Sequence, residues 1–129
     1  MNLDHPNIIK IYGVQQDVDY IKRNGKTVLC TFLVLELALN GEIFDYVAET
    51  GCFSEPVCRF FMKRILSALK HCHDKGYAHR DLKPENIFFG ENHVLKLADF
   101  GFTTMMSGNE KLLTALGTPG YMAPEIMLQ

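Results

Sequence analysis

The chain has no Cys-x-x-Cys pair: its four cysteines, Cys30, Cys52, Cys58 and Cys72, fall outside that pattern. No signal-peptide pattern opens the sequence, so these thiols are expected to be reduced and partly buried. The expected compartment is the cytoplasm, with the nucleus left open. No apolar run is long enough to cross a bilayer. The longest, Val28 to Leu39, contains Thr31 and Glu36 and reads as a strand. No charge of one sign dominates either. A net charge of -2 gives no strong attraction to nucleic acid or an anionic membrane, so neither is expected as a partner. Internal repeats and low-complexity tracts are also missing. What remains is 129 residues of ordinary globular composition, 47% hydrophobic and 22% charged, in the size range of one domain.

Against that plain background one stretch stands out: His79-Arg80-Asp81-Leu82-Lys83-Pro84-Glu85-Asn86. Pro84 cannot sit in a helix interior and biases Lys83 towards extended backbone, so the stretch is expected to be a loop. An isolated His-Arg-Asp would be compatible with a charged surface loop. Two further motifs follow in order, Asp99-Phe100-Gly101 and Ala123-Pro124-Glu125, and together they make that reading untenable.

The ordered set resembles the catalytic segment of eukaryotic protein kinases of the serine/threonine type. The segments Glu36-Leu37-Ala38 to Val47 and Ala78 to Asn86 look closest to the calcium/calmodulin-type and AMP-activated-type groups. The implied fold class is α+β, a partial two-lobed kinase fold. Residues 1–37 would be the end of the small lobe and the approach to the hinge. Residues 38–129 would be the first half of the large lobe, through the activation segment. The implied reaction is transfer of the ATP γ-phosphate to serine or threonine hydroxyls of protein substrates, with Mg2+. A kinase-like piece that only binds a partner, or does nothing, is the alternative.

The resemblance also assigns roles. Asp81 would accept the substrate hydroxyl's proton, Lys83 would reach the transferred phosphate, and Asn86 and Asp99 would bind Mg2+ through oxygen. Leu35 would flank the adenine pocket, with the carbonyl of Glu36 and the amide of Ala38 on the adenine edge. Phe88 would lie beneath adenine, although an aromatic there also suits a core. Glu42 would sit near the ribose or a basic substrate residue, or simply complement a helix dipole. Phe100 would pack on His79 and Ile11, and Gly101 would give the metal loop its backbone freedom. Thr114 would be the phosphosite of an upstream activating kinase, with Arg80 receiving the phosphate. The second basic residue that many such kinases carry after Asp-Phe-Gly is replaced here by Thr103 and Thr104. Thr118 is expected to bond Asp81 and Lys83. Glu125 would pair with an arginine that does not occur after it in this chain.

The remaining sequence gives a coarse map. His5-Pro6-Asn7 is turn chemistry before a short β-rich run, Ile8 to Tyr12. By resemblance the chain begins within a small lobe, with no Gly-rich loop, ATP-contacting lysine or partner glutamate ahead of it. Lys10, Lys22 and Lys26 read as solvated. Val14 to Val28 reads as a polar, turn-rich connection, longer than many kinases use, with Asn24-Gly25 a hairpin signal. Cys30 to Leu37 reads as a buried strand, and Glu42 to Val47 as a short helix. Val57, Phe61, Ile65, Ala68 and Cys72 form a helical apolar stripe that Phe60 and Leu69 widen, starting at Ser54 and stopping near Lys75-Gly76. Asn86 to Phe89 and Val94 to Leu97 read as a hairpin.

Overall fold

The computed structural model describes residues 3–106 and 116–128. In chain order the main elements are β1 (Ile11–Ile21), β2 (Thr27–Leu35), α1 (Ile43–Thr50), α2 (Glu55–Asp74), β3 (Tyr77–Ala78), β4 (Ile87–Phe89), β5 (Leu95–Leu97), β6 (Thr104–Met105) and α3 (Pro124–Met127). The strands form antiparallel pairs, β1–β2, β3–β6 and β4–β5.

α2 organises the packing. Pro56 occupies its first turn, where a missing N–H is harmless. Ser54 is the N-cap residue, but its side chain makes no capping hydrogen bond. Lys75 ends the helix, and Gly76 follows at φ 78°, a left-handed turn that glycine adopts without Cβ strain. Ile65, Ala68 and Cys72 are buried against Ile8, Ile43, Ile87, Phe89, Leu95 and Leu97, and Phe61 and Leu69 flank this core. Val57 and Phe60 do not follow the expected stripe. Both are exposed, and Phe60 instead stacks beneath the Arg64 guanidinium, 3.3 Å from its ring centroid.

The N-terminal stretch is tied to β5. Leu97 N–H donates to Asn7 O and Ile9 N–H to Leu97 O, both at 2.8 Å, and Ile8 bridges Leu97 in parallel. Asn7 is itself buried, and its Nδ2 donates to Leu95 O at 2.8 Å. His5 completes the clasp, with Nε2 3.0 Å from Ser67 Oγ on α2.

Residues 14–28 depart from the sequence reading. They form most of a long hairpin, not a loose connection. β1 pairs with β2 from Ile11↔Leu35 to Ile21↔Thr27, with irregularities near Gly13 and between Gln15 and Val18. Residues 23–25 make the turn. Gly25 N–H donates to Lys22 O, Lys26 N–H donates to Asn24 Oδ1, and Gly25 has φ 79°. β2 is also less buried than its apolar sequence suggested, since Phe32, Leu33, Val34 and Leu35 are 41–57% exposed. A two-stranded ribbon covers neither of its own faces completely, so apolar content alone does not bury it.

Candidate active site

Three loops converge on Asp81. The first is its own loop, which leaves β3. Arg80 adopts φ 67°, a left-handed conformation that a long side chain takes only when its surroundings hold it there. Two contacts do so. Arg80 Nε–H donates to Phe102 O at 2.7 Å, and Asp81 N–H donates to His79 Nδ1 at 3.2 Å. Because Nδ1 accepts, the His79 proton sits on Nε2, which donates to Ala98 O at 2.9 Å. His79 is thus a buried strut between the Asp81 loop and the end of β5, and Phe100 packs edge-on against it at 4.8 Å between centroids.

Asp81 itself is buried, and three donors surround its carboxylate. Thr118 Oγ1–H donates to Oδ1 at 2.6 Å, Asn86 Nδ2 to Oδ2 at 3.0 Å, and Lys83 Nζ lies 3.0 Å from Oδ2. Burial alone would push the Asp81 carboxyl up. The hydrogen bonds from Thr118, Lys83 and Asn86 and the Lys83 charge outweigh it, so the group lies below the ordinary carboxylate range. Lys83 shifts the other way. Its hydrogen bond to Asp81 raises it, desolvation opposes this, and the charges of Asp81, Glu85 and Asp99 add to the rise. Lys83 also donates to Thr118 Oγ1 at 2.7 Å, which closes a three-residue ring. Thr118 lies 37 positions from Asp81. The segment carrying it therefore docks directly on the catalytic-loop stretch.

Asn86 has both available donor contacts committed, with Nδ2 bonded to Asp81 O at 2.8 Å as well as to Oδ2. That fixes the amide orientation and leaves its Oδ1 as an oxygen ligand. Asp99 is exposed on the neighbouring loop at φ 55°, with Oδ1 accepting from Gly101 N–H at 3.2 Å. One neutral and one anionic oxygen donor are a hard ligand set of the kind that suits Mg2+, which commonly binds one or two carboxylates plus substrate phosphates. The positive φ therefore belongs to Asp99. At Gly101 the close approach is to a side chain: a Cβ there would stand 3.1 Å from Asp99 Oδ1, which would have to shift by a few tenths of an ångström.

The other expected positions are spread around this centre. Leu35 ends β2 opposite Ile11, and both side chains are exposed. Ile11 is thus outside the core that Phe100 joins. Glu36 is held by its surroundings: its N–H donates to Lys10 O, its Oε2 accepts from Lys10 N–H, and its Oε1 pairs with Lys96 Nζ at 2.7 Å. The Glu36 carbonyl and the Ala38 amide make no backbone hydrogen bond among the described residues. Glu42 is the N-cap of α1 and bridges Phe88, which is half-buried on β4. Glu125 is exposed in the first turn of α3. Thr114 lies outside the described residues.

Three features were missed in the sequence. The Glu36–Lys96 pair joins the end of β2 to β5, and its only sequence cue is a charge inside each apolar run. The left-handed Arg80 has no cue, because arginine seldom adopts that conformation. Glu85 carries a buried carboxylate oxygen, Oε2, that has no hydrogen-bond partner among the described residues.

The chain matches the protein kinase domain family over residues 1–129. It belongs to that family. It is 42% identical over 128 residues to calcium-dependent protein kinase 5 of Plasmodium berghei, covering 97% of this chain and 21% of the relative. It is 43% identical over 124 residues to serine/threonine-protein kinase SIK1 of Mus musculus, covering 96% and 15%. With the maternal embryonic leucine zipper kinase of Danio rerio the identity is 41% over 128 residues, covering 98% and 18%. The chain thus spans about a fifth of the length of these relatives.

Proposed function

We infer that the chain supplies the catalytic and metal-binding part of an ATP- and Mg2+-dependent protein kinase acting on serine or threonine hydroxyls. The observation that carries this reading is the ring of Asp81, Lys83 and Thr118, with Asn86 locked against Asp81. Phosphoryl transfer depends on positioning and charge stabilisation more than on covalent help from the protein. Bound Mg-ATP would supply the transferable phosphoryl group and a counter-charge for its oxygens. Asp81, kept ionised by its three donors, accepts the hydrogen bond of an incoming hydroxyl and orients it. Lys83 holds a positive charge beside that carboxylate. Thr118 fixes the separation of the two and joins the peptide-docking segment to them. Asn86 and Asp99 offer the metal its oxygen ligands.

By family resemblance, Leu35, Glu36, Ala38 and Phe88 are proposed for the adenine side; they lie between the end of β2 and β4. The proposed substrate is a protein presenting serine or threonine, and the proposed compartment is the cytoplasm. The test is phosphate transfer from radiolabelled ATP to serine, threonine and tyrosine peptides by the intact protein, with and without Mg2+. Mg2+-dependent labelling of the serine or threonine peptides, abolished by Asp81→Asn, is the expected result. Labelling of tyrosine alone, or labelling unaffected by Asp81→Asn, overturns the reading.

A further inference from the structure

The clasp on the N-terminal stretch turns on one imidazole. Both ring nitrogens of His5 are committed, and only the neutral form satisfies both. Asn7 N–H donates to Nδ1 at 3.0 Å, so the proton sits on Nε2, which donates to Ser67 Oγ on α2 at 3.0 Å. A second proton has one place to go, Nδ1. There it would remove the acceptor of the Asn7 amide and set two N–H groups against each other. The surroundings also oppose that proton. The His71 ring lies 5.3 Å from His5 between centroids, and its Nε2 is buried with no hydrogen-bond partner among the described residues. Asp4, Lys10, Glu36 and Lys96 line the same small cleft as His5. Glu36 is already taken, with one carboxylate oxygen on Lys10 N–H and the other on Lys96. Asp4 is exposed. The other charges on this part of α2 are Lys63, exposed one turn before Ser67, Arg64, stacked on Phe60, and Lys70, paired with Asp74. Burial first, then the charges of His71 and Lys96, holds the His5 imidazole below its ordinary value. More of the domain packed over His5 would deepen its burial and leave unchanged the tautomer that the Asn7 amide needs.

We propose that His5 is a proton-operated latch: neutral, it fastens residues 5–9 to α2 and β5, and protonated, it lets them go. Its reach extends towards the metal loop. Asn7, Ile8 and Ile9 hold Leu95 and Leu97, and Asp99 follows two positions after Leu97. Folding lowers the imidazole, so the stability it contributes is complete above the ordinary value of 6.5. That contribution declines as pH falls below 6.5, until the lower, folded value has been passed. The window is the mildly acidic range in which histidine is the side chain that ordinarily changes charge. The latch is independent of the catalytic reading, because it acts without nucleotide or substrate.

The test is hydrogen–deuterium exchange of the intact protein without nucleotide, read by mass spectrometry over residues 6–9 and 95–98 and corrected for the intrinsic pH dependence of exchange. Ile9 N–H and Leu97 N–H are bonded across the clasp, so they report its opening. Protection there should fall about tenfold from about pH 7.5 to about pH 5.5, as expected for one lost hydrogen bond that leaves a donor unpaired. His5→Asn places Oδ1 where Nδ1 stood, keeps an acceptor for the Asn7 amide and cannot titrate. Its protection should stay within about twofold over the same range. Ser67→Ala should lower protection about twofold at every pH and keep the acid step, as a purely structural contact would. His71→Phe keeps a ring beside His5, removes the charge that acts on it, and should shrink the step. A flat parent profile overturns the proposal. So does an equal fall in the parent and in His5→Asn, which would mean general acid loosening. If His5→Asn does not fold, His71→Phe decides, and an undiminished step there overturns the proposal.

Discussion

Replacing Thr118 with alanine tests the logic of the site at its narrowest point. The hydroxyl donates to Asp81 and accepts from Lys83, at 2.6 and 2.7 Å, so one deletion breaks two bonds to charged groups. Asp81 keeps Asn86 and Lys83 as donors, and Lys83 keeps Asp81, so neither charge is stranded. The net loss is therefore that of about one charge-assisted bond, about 1.5–3 kcal/mol. If that loss falls on the positioned state from which transfer occurs, turnover drops about ten- to 150-fold. Thr118→Ser retains the hydroxyl and should recover most of the rate. The pH profile gives an independent readout. Thr118 is one of the groups holding the Asp81 carboxyl down, so its removal moves that group up towards its ordinary value. The acid limb of the rate should then shift to higher pH in Thr118→Ala and much less in Thr118→Ser. Peptide phosphorylation by the intact protein across the acid range measures both effects. A parent-like rate with an unshifted acid limb would refute the reasoning, as would a serine variant as impaired as the alanine one.

Asp81→Asn and Asp99→Ala should each abolish transfer but differ in nucleotide binding. Calorimetric titration with Mg-ATP should show weakening in Asp99→Ala and near-parent affinity in Asp81→Asn. Lys96→Ala leaves Glu36 without its partner in a mostly buried pair and should lower stability by about 1–3 kcal/mol in urea unfolding. Because folding depresses the Asp81 carboxyl, its contribution to stability is complete above the ordinary value of 3.8 and is lost as pH falls through the lower, folded value. Acid unfolding of Thr118→Ala should accordingly show a smaller loss in that range. Mass spectrometry of active protein should find phosphate on Thr114, with Thr114→Ala less active than the parent.

The site was largely legible because its chemistry is written in short contiguous runs. Asp81, Lys83 and Asn86 fall within six positions, and a proline announces the loop that carries them. The contact from Thr118 to Asp81 is long-range and was reached through family resemblance, since no local pattern encodes it. The long hairpin was harder. Residues 14–21 lack a clean alternation because both faces of β1 meet solvent, and a strand with two wet faces has no period-two signal to read. Asn24-Gly25 marked the turn correctly but could not say how far the strands would run from it. Phe60 misled for a related reason. It sits one position from Phe61 on the helix, and cation stacking can hold an aromatic as well as a core can. The left-handed Arg80 and Asp99 show where local preference yields to the site: two residues take costly backbone conformations so that loops from different parts of the chain can meet.

The clasp between residues 5–9 and 95–97 carries a consequence for how the molecule reaches this state. The β4–β5 hairpin forms from neighbours, but its outer strand acquires Asn7, Ile8 and Ile9 only when segments 88 positions apart in sequence meet. Closing a loop of that length costs about 4 kcal/mol of chain entropy before any contact offsets it. The catalytic loop, which leans on Ala98 through His79, is thereby coupled to this long-range closure. Asn7→Ala should slow refolding if the clasp belongs to the rate-limiting nucleus, and speed unfolding if it forms afterwards.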